Sequence, residues 1–458
     1  MANVTFLNHS CNLVDSGKTK ILCDPWFNGL AFHDGWSLLL ENSHELDELD
    51  FDYIWISHEH PDHFSIPTLN NLSKSTQFLY QKTKDQKVKK YLESKGHSVI
   101  ELDDKVPLFI GEDVEITSIV CYGFDSSILF RFEDNSTFLN VNDARVSLKN
   151  HLEIDIVPFL NNDAVDLVST QFSYANWAGN PGDKDMPFYR QDLEDQKNKY
   201  IIDVLKPKAC LLFASFVYYC HEENFYANEN SFFTHILDEL NNSDSKLILP
   251  IPDQVIDLSK LSCLNFDKSN LESSSFWKNH HEKALIKSNT KSIEDLDLLK
   301  KQYDLFFNNL WSKNSIASKS IADFKVRVML DDIGIKIEIG LLTNSFIILD
   351  QKNEVDFSVS AETFEFLLKN NFGRGTVVVN SRIKFNYPFA HKFFIFFFIP
   401  YQNNIGIYFD SGHLLNKSDL INIQNISVLS SMYQIYPELK DQFILDCDNL
   451  FISTEVYG

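Results

Sequence analysis

The sequence predicts an α/β domain over residues 1–260, a helical bridge over 261–320 and a C-terminal α+β domain over 321–458. Three observations carry this. At 458 residues, the chain is longer than one ordinary core can organise. A hydrophobic content of 44% and a charged content of 23% are those of a globular chain. As far as residue 260, short apolar strands alternate with helical stretches; a polar, helix-prone segment then leads into closely spaced strands from Phe324.

Taken in order, residues 3–9 alternate as a strand does. Ser10 to Val14 and Lys20 to Cys23 continue the sheet through an Asp15-Ser16-Gly17-Lys18 turn, and Asp24-Pro25-Trp26 ends it. Tyr53-Ile54-Trp55-Ile56 is a buried strand that hands over to Ser57-His58-Glu59-His60-Pro61-Asp62-His63-Phe64. Imidazole and carboxylate are the ligands a zinc, iron or manganese ion prefers, and here they crowd one turn that Pro61 stiffens. A lone histidine is usually a packed or surface residue; this cluster at a strand end reads as a metal site.

Further on, the pattern predicts helices over 66–72 and 84–94, the latter stopped by Gly96, and strands over 77–80, 99–102, 114–122, 127–132 and 137–141. Asp143 follows the last of these and is the next ligand candidate, although a strand-terminal aspartate is also a common turn residue. Strands at 154–159 and 166–169, an aromatic loop at 171–187, a helix at 191–205 and a strand at 209–213 lead to His221, which precedes a helix-like stretch from Asn228. Strands at 246–251 and 255–258 complete this domain. The bridge carries Trp277 and Trp311, with His280-His281 read as exposed. Beyond it the expected strands are 324–330, 334–340, 345–350, 355–359, 375–385, 391–399 and 404–409, with helices at 361–370 and within 416–446.

The bulk numbers exclude some functions. A net charge of -23 argues against a general nucleic-acid or anionic-membrane surface. Seven widely spaced cysteines without a C-x-x-C pair point to buried free thiols in a reducing compartment. The N-terminus has no basic region followed by an apolar run, and the strongest apolar run, Phe393 to Pro400, is too short to span a bilayer. The expected location is cytoplasmic.

The His58-x-His60-x-Asp62-His63 pattern resembles the signature of the metallo-β-lactamase superfamily. This resemblance implies an αββα sandwich in which His58, His60, Asp62 and His63 serve one or two divalent metals. It implies that Asp143 is the metal-bridging carboxylate and His221 the final histidine ligand. Asp62 and His221 are the catalytic candidates, with Asp62 both binding metal and steering the attacking oxygen. The opening, with its histidine–small-residue pair, hairpin and Asp24-Pro25-Trp26, resembles the ascorbate-6-phosphate lactonase-like branch. Asp24 would there orient a ligand histidine; the alternative is a plain strand cap. Trp26 to Trp36, and more loosely 171–183 and 213–224, resemble the metallo-β-lactamase-like region of the CMP-N-acetylneuraminate hydroxylase family, without the Rieske Cys-x-His pairs. Most two-metal members carry a further histidine before the bridging aspartate. His97 is the one histidine in that interval and reads as a loop residue, so Asp125 is the substitute candidate. Asp356 to Lys384 faintly resembles sterol-carrier-type domains.

The chemistry implied is hydrolysis of a small phosphate-bearing or acyl substrate, since a metal with an open position brings bound water from a pKa of about 15.7 towards 7. The rival reading is an iron-dependent hydroxylase acting on a nucleotide-sugar or similar small molecule, fed by an external reductase. A non-catalytic binding protein on the same scaffold is the third. Oligomeric state is not legible.

Overall fold

The computed structural model describes residues 1–450 except 73–74, 122–124, 145–150, 161–164, 175, 231–246, 264–265, 316–320 and 410–414. It divides into two compact units. The first comprises Met1–Ala175, Gln191–Cys220 and Ser231–Leu285; the second comprises Asn176–Arg190, His221–Asn230 and Ile286–Gly458. Of the segment read as a bridge, helix Phe266–His281 falls in the first unit and helix Leu296–Lys313 in the second.

Two seven-stranded sheets make the first unit. One contains β1 (Asn3–Asn8), β2 (Cys11–Asp15), β3 (Lys20–Cys23), β5 (Tyr53–Ile56), β6 (Gln77–Gln81), β7 (Ser98–Leu102) and β16 (Gln254–Asp257), in the order β16-β1-β2-β3-β5-β6-β7. The other contains β8 (Leu108–Ile110), β9 (Val114–Cys121), β10 (Asp125–Phe132), β11 (Thr137–Asn142), β12 (Leu167–Gln171), β13 (Ala209–Phe213) and β15 (Leu247–Ile248), in the order β15-β13-β12-β11-β10-β9-β8. Strand periodicity of two sorts each side chain to a layer. Ile21, Cys23 and Trp55 join Ile128, Phe130 and Phe138 in the central core between the sheets. Their neighbours Leu22, Ile54 and Ile56 face outward onto Phe64, Leu69, Val88 and Leu92. On the far side Leu129, Leu139 and Val141 pack on Leu152, Ile156, Ile201 and Leu205. Both faces of each sheet are therefore covered, which is why these strands read as continuous apolar runs. The result is the expected αββα sandwich. A small pair, β4 (Trp36–Leu38) with β14 (Val217–Tyr219), completes the strands of this unit among the described residues.

The second unit has one five-stranded sheet, β19-β18-β17-β20-β21, built from β17 (Lys325–Leu330), β18 (Ile335–Gly340), β19 (Phe346–Leu349), β20 (Phe357–Val359) and β21 (Lys384–Phe385). Its core draws on Val326, Val328, Ile337, Phe357, Phe364, Phe393 and Phe396, among others, which makes it the expected α+β arrangement.

Several strand expectations fail here. Residues 391–399 form helices Ala390–Phe396 and Phe398–Asn404; every residue from Phe393 to Pro400 is buried, so the run carries neither a period of two nor one of 3.6. Residues 373–379 form helix Gly373–Val379, leaving the two residues of β21 as the strand, and 404–409 form none. Residues 154–159 lie in helical turns, His151–Ile156 and Val157–Leu160. Of the stretch from Asn228, residues 231–246 lie outside the described residues. Among the described residues no helix is long and apolar enough to cross a membrane. Among the described residues Cys11, Cys23, Cys121, Cys210, Cys220 and Cys447 are buried and outside any disulfide.

Candidate metal centre

The site gathers at strand ends of the first unit. β1 delivers His9, β3 delivers Asp24, β5 delivers Ser57 and His58, and β11 delivers Asn142 and Asp143. The turn after β5 closes through His63 N–H on the His60 carbonyl (3.0 Å), with Pro61 inside it. Three backbones here are in the left-handed region without being glycine: His9 (φ 27), Asp24 (φ 43) and Asn142 (φ 62). Such strain persists where surrounding structure over-determines it, and it clusters at functional sites.

Two sets of ligand-type atoms converge, each within 4.8 Å: His9, Asp62 and His63, and His58, His60 and Asp143. In the first set Asp62 Oδ2 lies 3.3 Å from His9 Nε2 and 3.4 Å from His63 Nε2. In the second, His58 Nε2 lies 2.7 Å from His60 Nδ1. Asp143 Oδ2 joins the two sets, at 3.6 Å from His58 Nε2 and 3.7 Å from His63 Nε2. Asp125 Oδ1 stands 4.0 Å from His58 Nε2.

This donor set fits divalent metal. Ligands ~2.1 Å from a tetrahedral centre stand ~3.4 Å from one another, close to the separations of 3.3–3.7 Å about Asp62 and Asp143. The other oxygens, Asp62 Oδ1 and Asp143 Oδ1, are buried with no hydrogen-bond partner in the protein. A buried carboxylate oxygen left so costs free energy that an ion would relieve.

The supporting contacts aim the rings. Asp24 is fully buried and accepts from Ser57 N (2.8 Å), Ser57 Oγ (2.7 Å) and Asn142 Nδ2 (3.0 Å). Its Oδ2 also takes His63 Nδ1–H at 3.0 Å, which turns Nε2 of that ring towards Asp62 and Asp143. Ser57 Oγ sits 2.9 Å from His58 Nδ1 and so favours Nε2 as the free nitrogen there.

Electrostatics keep most of these rings ready. Burial lowers the pKa of His9, His58 and His60, so their imidazoles stay neutral. Burial pulls His63 the same way, but Asp62, Asp143 and Asp24 outweigh it and hold the ring well above its ordinary value. Burial raises Asp62 and Asp143, and the surrounding histidines more than reverse this, so both carboxylates are held below the usual range.

His58, His60, Asp62, His63 and Asp143 therefore come together, with Asp125 alongside. His221 belongs to the second unit, where it groups with Glu223 and Glu362, and its Nδ1 accepts Glu223 N–H at 3.2 Å. His97 packs on Phe78 and accepts Thr76 N–H through Nδ1 (3.2 Å), a structural role. Sequence reasoning passed over His9 as a ligand. Its signal was present in the histidine–small-residue pair His9-Ser10, whose serine hydroxyl donates to the Asp62 carbonyl at 3.3 Å.

Residues 3–140 match the family model described as a β-lactamase superfamily domain. That stretch therefore carries the metallo-β-lactamase fold, a fold that binds one or two divalent metals, and the His/Asp groups gathered here could hold them. Among curated proteins the chain is 34% identical over 116 residues to the cytidine monophosphate-N-acetylneuraminic acid hydroxylase of Danio rerio, covering 24% of this chain and 20% of that protein. The match thus spans a fifth of that relative's length. Among solved structures it is similar to CmlA, a diiron β-hydroxylase from Streptomyces venezuelae, with 15% identity, TM-score 0.37, and 56% of this chain and 54% of that one covered. It is also similar to Igni18, a metallo hydrolase from Ignicoccus hospitalis KIN4/I, with 14% identity, TM-score 0.36, and 56% and 97% covered.

Proposed function

We propose that the first unit is a metal-dependent hydrolase acting on a small phosphate-bearing or acyl substrate. The observation that carries this reading is Asp143 Oδ2 standing between His58 Nε2 and His63 Nε2 at 3.6 and 3.7 Å, a carboxylate placed to serve two ligand sets at once. His58, His60 and Asp143 would hold one ion; His9, Asp62 and His63, with Asp143 shared, would hold the other. Metal bound there supplies an acidified water and polarises the substrate oxygen. The chain's own residues do the rest. Asp24 and Ser57 engage Nδ1 of His63 and His58, which turns Nε2 of each ring towards the Asp143 carboxylate and makes Nε2 the nitrogen that would meet an ion. Asp62, kept ionised by His63 and His9, is the acceptor for a proton released by the attacking water. Hydrolysis needs no reactant beyond water.

A second reading, iron-dependent hydroxylation of a nucleotide-sugar-like molecule, is favoured by the similarity to a protein named a hydroxylase. It requires dioxygen and an external electron donor. Elemental analysis of protein purified without added metal separates the two. Zinc at one or two per chain, with turnover of activated phosphodiesters or thioesters that stops when His58 and His60 are both changed to alanine, supports hydrolysis. Bound iron with reductant-dependent oxygen uptake and no hydrolysis would replace it with the second reading. No stoichiometric metal sinks both.

A further inference from the structure

The second unit holds a cavity of about 350 Å³ that neither reading uses. This volume sits at the low end of the range for small-molecule sites, ~300–1,000 Å³. Its lining includes Ser381, Arg382 and Thr290 together with Glu222, Asp331 and Asp332. We propose that it binds a compact hydroxylated organic amine in its protonated form.

Charge decides the sign of the ligand. Four carboxylates line the cavity (Glu222, Glu223, Asp331, Asp332) against two cations, Arg382 and Lys384. Both cations are already engaged. Arg382 is buried and bonds Glu223 through Nε (3.1 Å) and Nη2 (3.2 Å), and Glu362 through Nη2 (3.0 Å). Lys384 Nζ pairs with Asp331 at 2.7 Å. Glu222 and Asp332 each accept one backbone N–H, from Thr290 (2.7 Å) and Ala361 (2.8 Å), and among the described residues neither has an ion-pair partner. An anion would meet net repulsion here, and a cation would meet two unneutralised carboxylates.

Geometry decides the kind of cation. A divalent metal needs ligand atoms converging on one point. The converging group in this unit, His221, Glu223 and Glu362, has its carboxylates occupied by the Arg382 guanidinium. Glu222, Asp331 and Asp332 belong to no such group among the described residues. Carboxylates spread round a cavity of this size suit an ammonium carried on a small organic body.

The hydroxyl side of the ligand rests on an independent observation. Ser381 is 1% exposed, lines the cavity, and its Oγ has no hydrogen-bond partner in the protein. Its backbone is held at φ 58, an unfavourable conformation for serine. The flanking backbone is pinned: the Asn380 carbonyl accepts Asn224 Nδ2 (2.6 Å), and Arg382 N–H donates to Asn380 Oδ1 (3.0 Å). A buried hydroxyl kept unpaired on a fixed turn is an unused donor and acceptor for a bound molecule. Ser358, Ser360 and Thr290 add further hydroxyls to the wall.

Calorimetric titration of the full chain with glucosamine tests this, with glucose as the uncharged control of nearly equal shape. Saturable binding of glucosamine at one per chain is expected, with glucose about tenfold weaker or worse. Glu222→Gln and Asp332→Asn keep the backbone acceptors and should each weaken glucosamine by about tenfold. Lys384→Gln frees Asp331 and should tighten it, which keeps the test decisive if a carboxylate variant misfolds. Thermal unfolding checks the fold of each variant. Absence of glucosamine binding, equal affinity for glucose, or carboxylate variants that bind as the parent overturns the proposal, as does weaker binding by Lys384→Gln.

Discussion

Changing Asp24 to asparagine is the sharpest perturbation of the centre, because it keeps shape and removes one acceptor. Four donors meet the two oxygens of Asp24: Ser57 N on Oδ1, and Ser57 Oγ, Asn142 Nδ2 and His63 Nδ1 on Oδ2. An amide offers one oxygen. If that oxygen takes the Oδ2 position, the new NH₂ faces the buried Ser57 N–H and orphans it, at a cost of about 1–3 kcal/mol. If it takes the Oδ1 position, the NH₂ faces Asn142 and His63. The His63 proton must then move to Nε2, the nitrogen that lies 3.4 Å from Asp62 Oδ2 and 3.7 Å from Asp143 Oδ2. Loss of such an orienting partner typically weakens metal by ~10–100-fold, about 1.4–2.8 kcal/mol. Competition for zinc against a chromogenic chelator reads this directly, with circular dichroism confirming the fold. A folded Asp24→Asn protein that binds zinc as tightly as the parent would refute the claim that Asp24 holds a ligand.

Three further outcomes are expected. Chelation of metal from the protein as purified should lower its melting temperature, because an ion at ~100-fold above its dissociation constant contributes about 2.7 kcal/mol per site; an unchanged melting temperature means that the native state holds no ion. Phe130 is fully buried and stacks between Phe138 (5.6 Å) and Phe132 (6.4 Å), so Phe130→Ala should cost about 3–5 kcal/mol in urea unfolding, and a loss far below this means the sandwich collapses around the gap. Burial raises Glu223, but Arg382 outweighs it and holds the carboxyl down at about 2. Its folded value is therefore below its unfolded one, so its contribution, on the order of 3 kcal/mol, is full above pH ~4.5 and lost as pH falls towards 2. Glu223→Gln should flatten the stability–pH curve in that window, and an unaltered slope excludes the pairing.

Local signals were legible in the sequence, and tertiary ones were not. The turn from Ser57 to Phe64 shows itself because ligand types and a stiffening proline share one short stretch beside an apolar strand. The αββα layering follows from strands that are apolar on both faces. His9 is different. Its partner Asp62 is 53 residues away, and the pairing exists only because β1 and β5 end at the same edge. The left-handed backbones of His9, Asp24 and Asn142 are equally silent, since no glycine marks them. In the second unit, the run from Phe393 to Pro400 has no polar face from which a period can be taken, and two short helices stand where strands were expected.

That contrast bears on the chemistry. A surface turn with the same residues would leave its histidines solvated and its aspartates free to find water. Here the rings of His58 and His63 are buried with centroids 4.3 Å apart, and three carboxylates (Asp24, Asp62 and Asp143) act on His63. Without an ion, burial and mutual repulsion disfavour protonating His9, His58 and His60, while Asp62 and Asp143 each keep an oxygen without a donor. Folding therefore assembles neutral lone pairs and ionised oxygens whose protein partners are too few to satisfy them. A cation entering the site satisfies both at once, so the strain at three strand ends and the energetic cost of the bare cluster have a common compensation in metal.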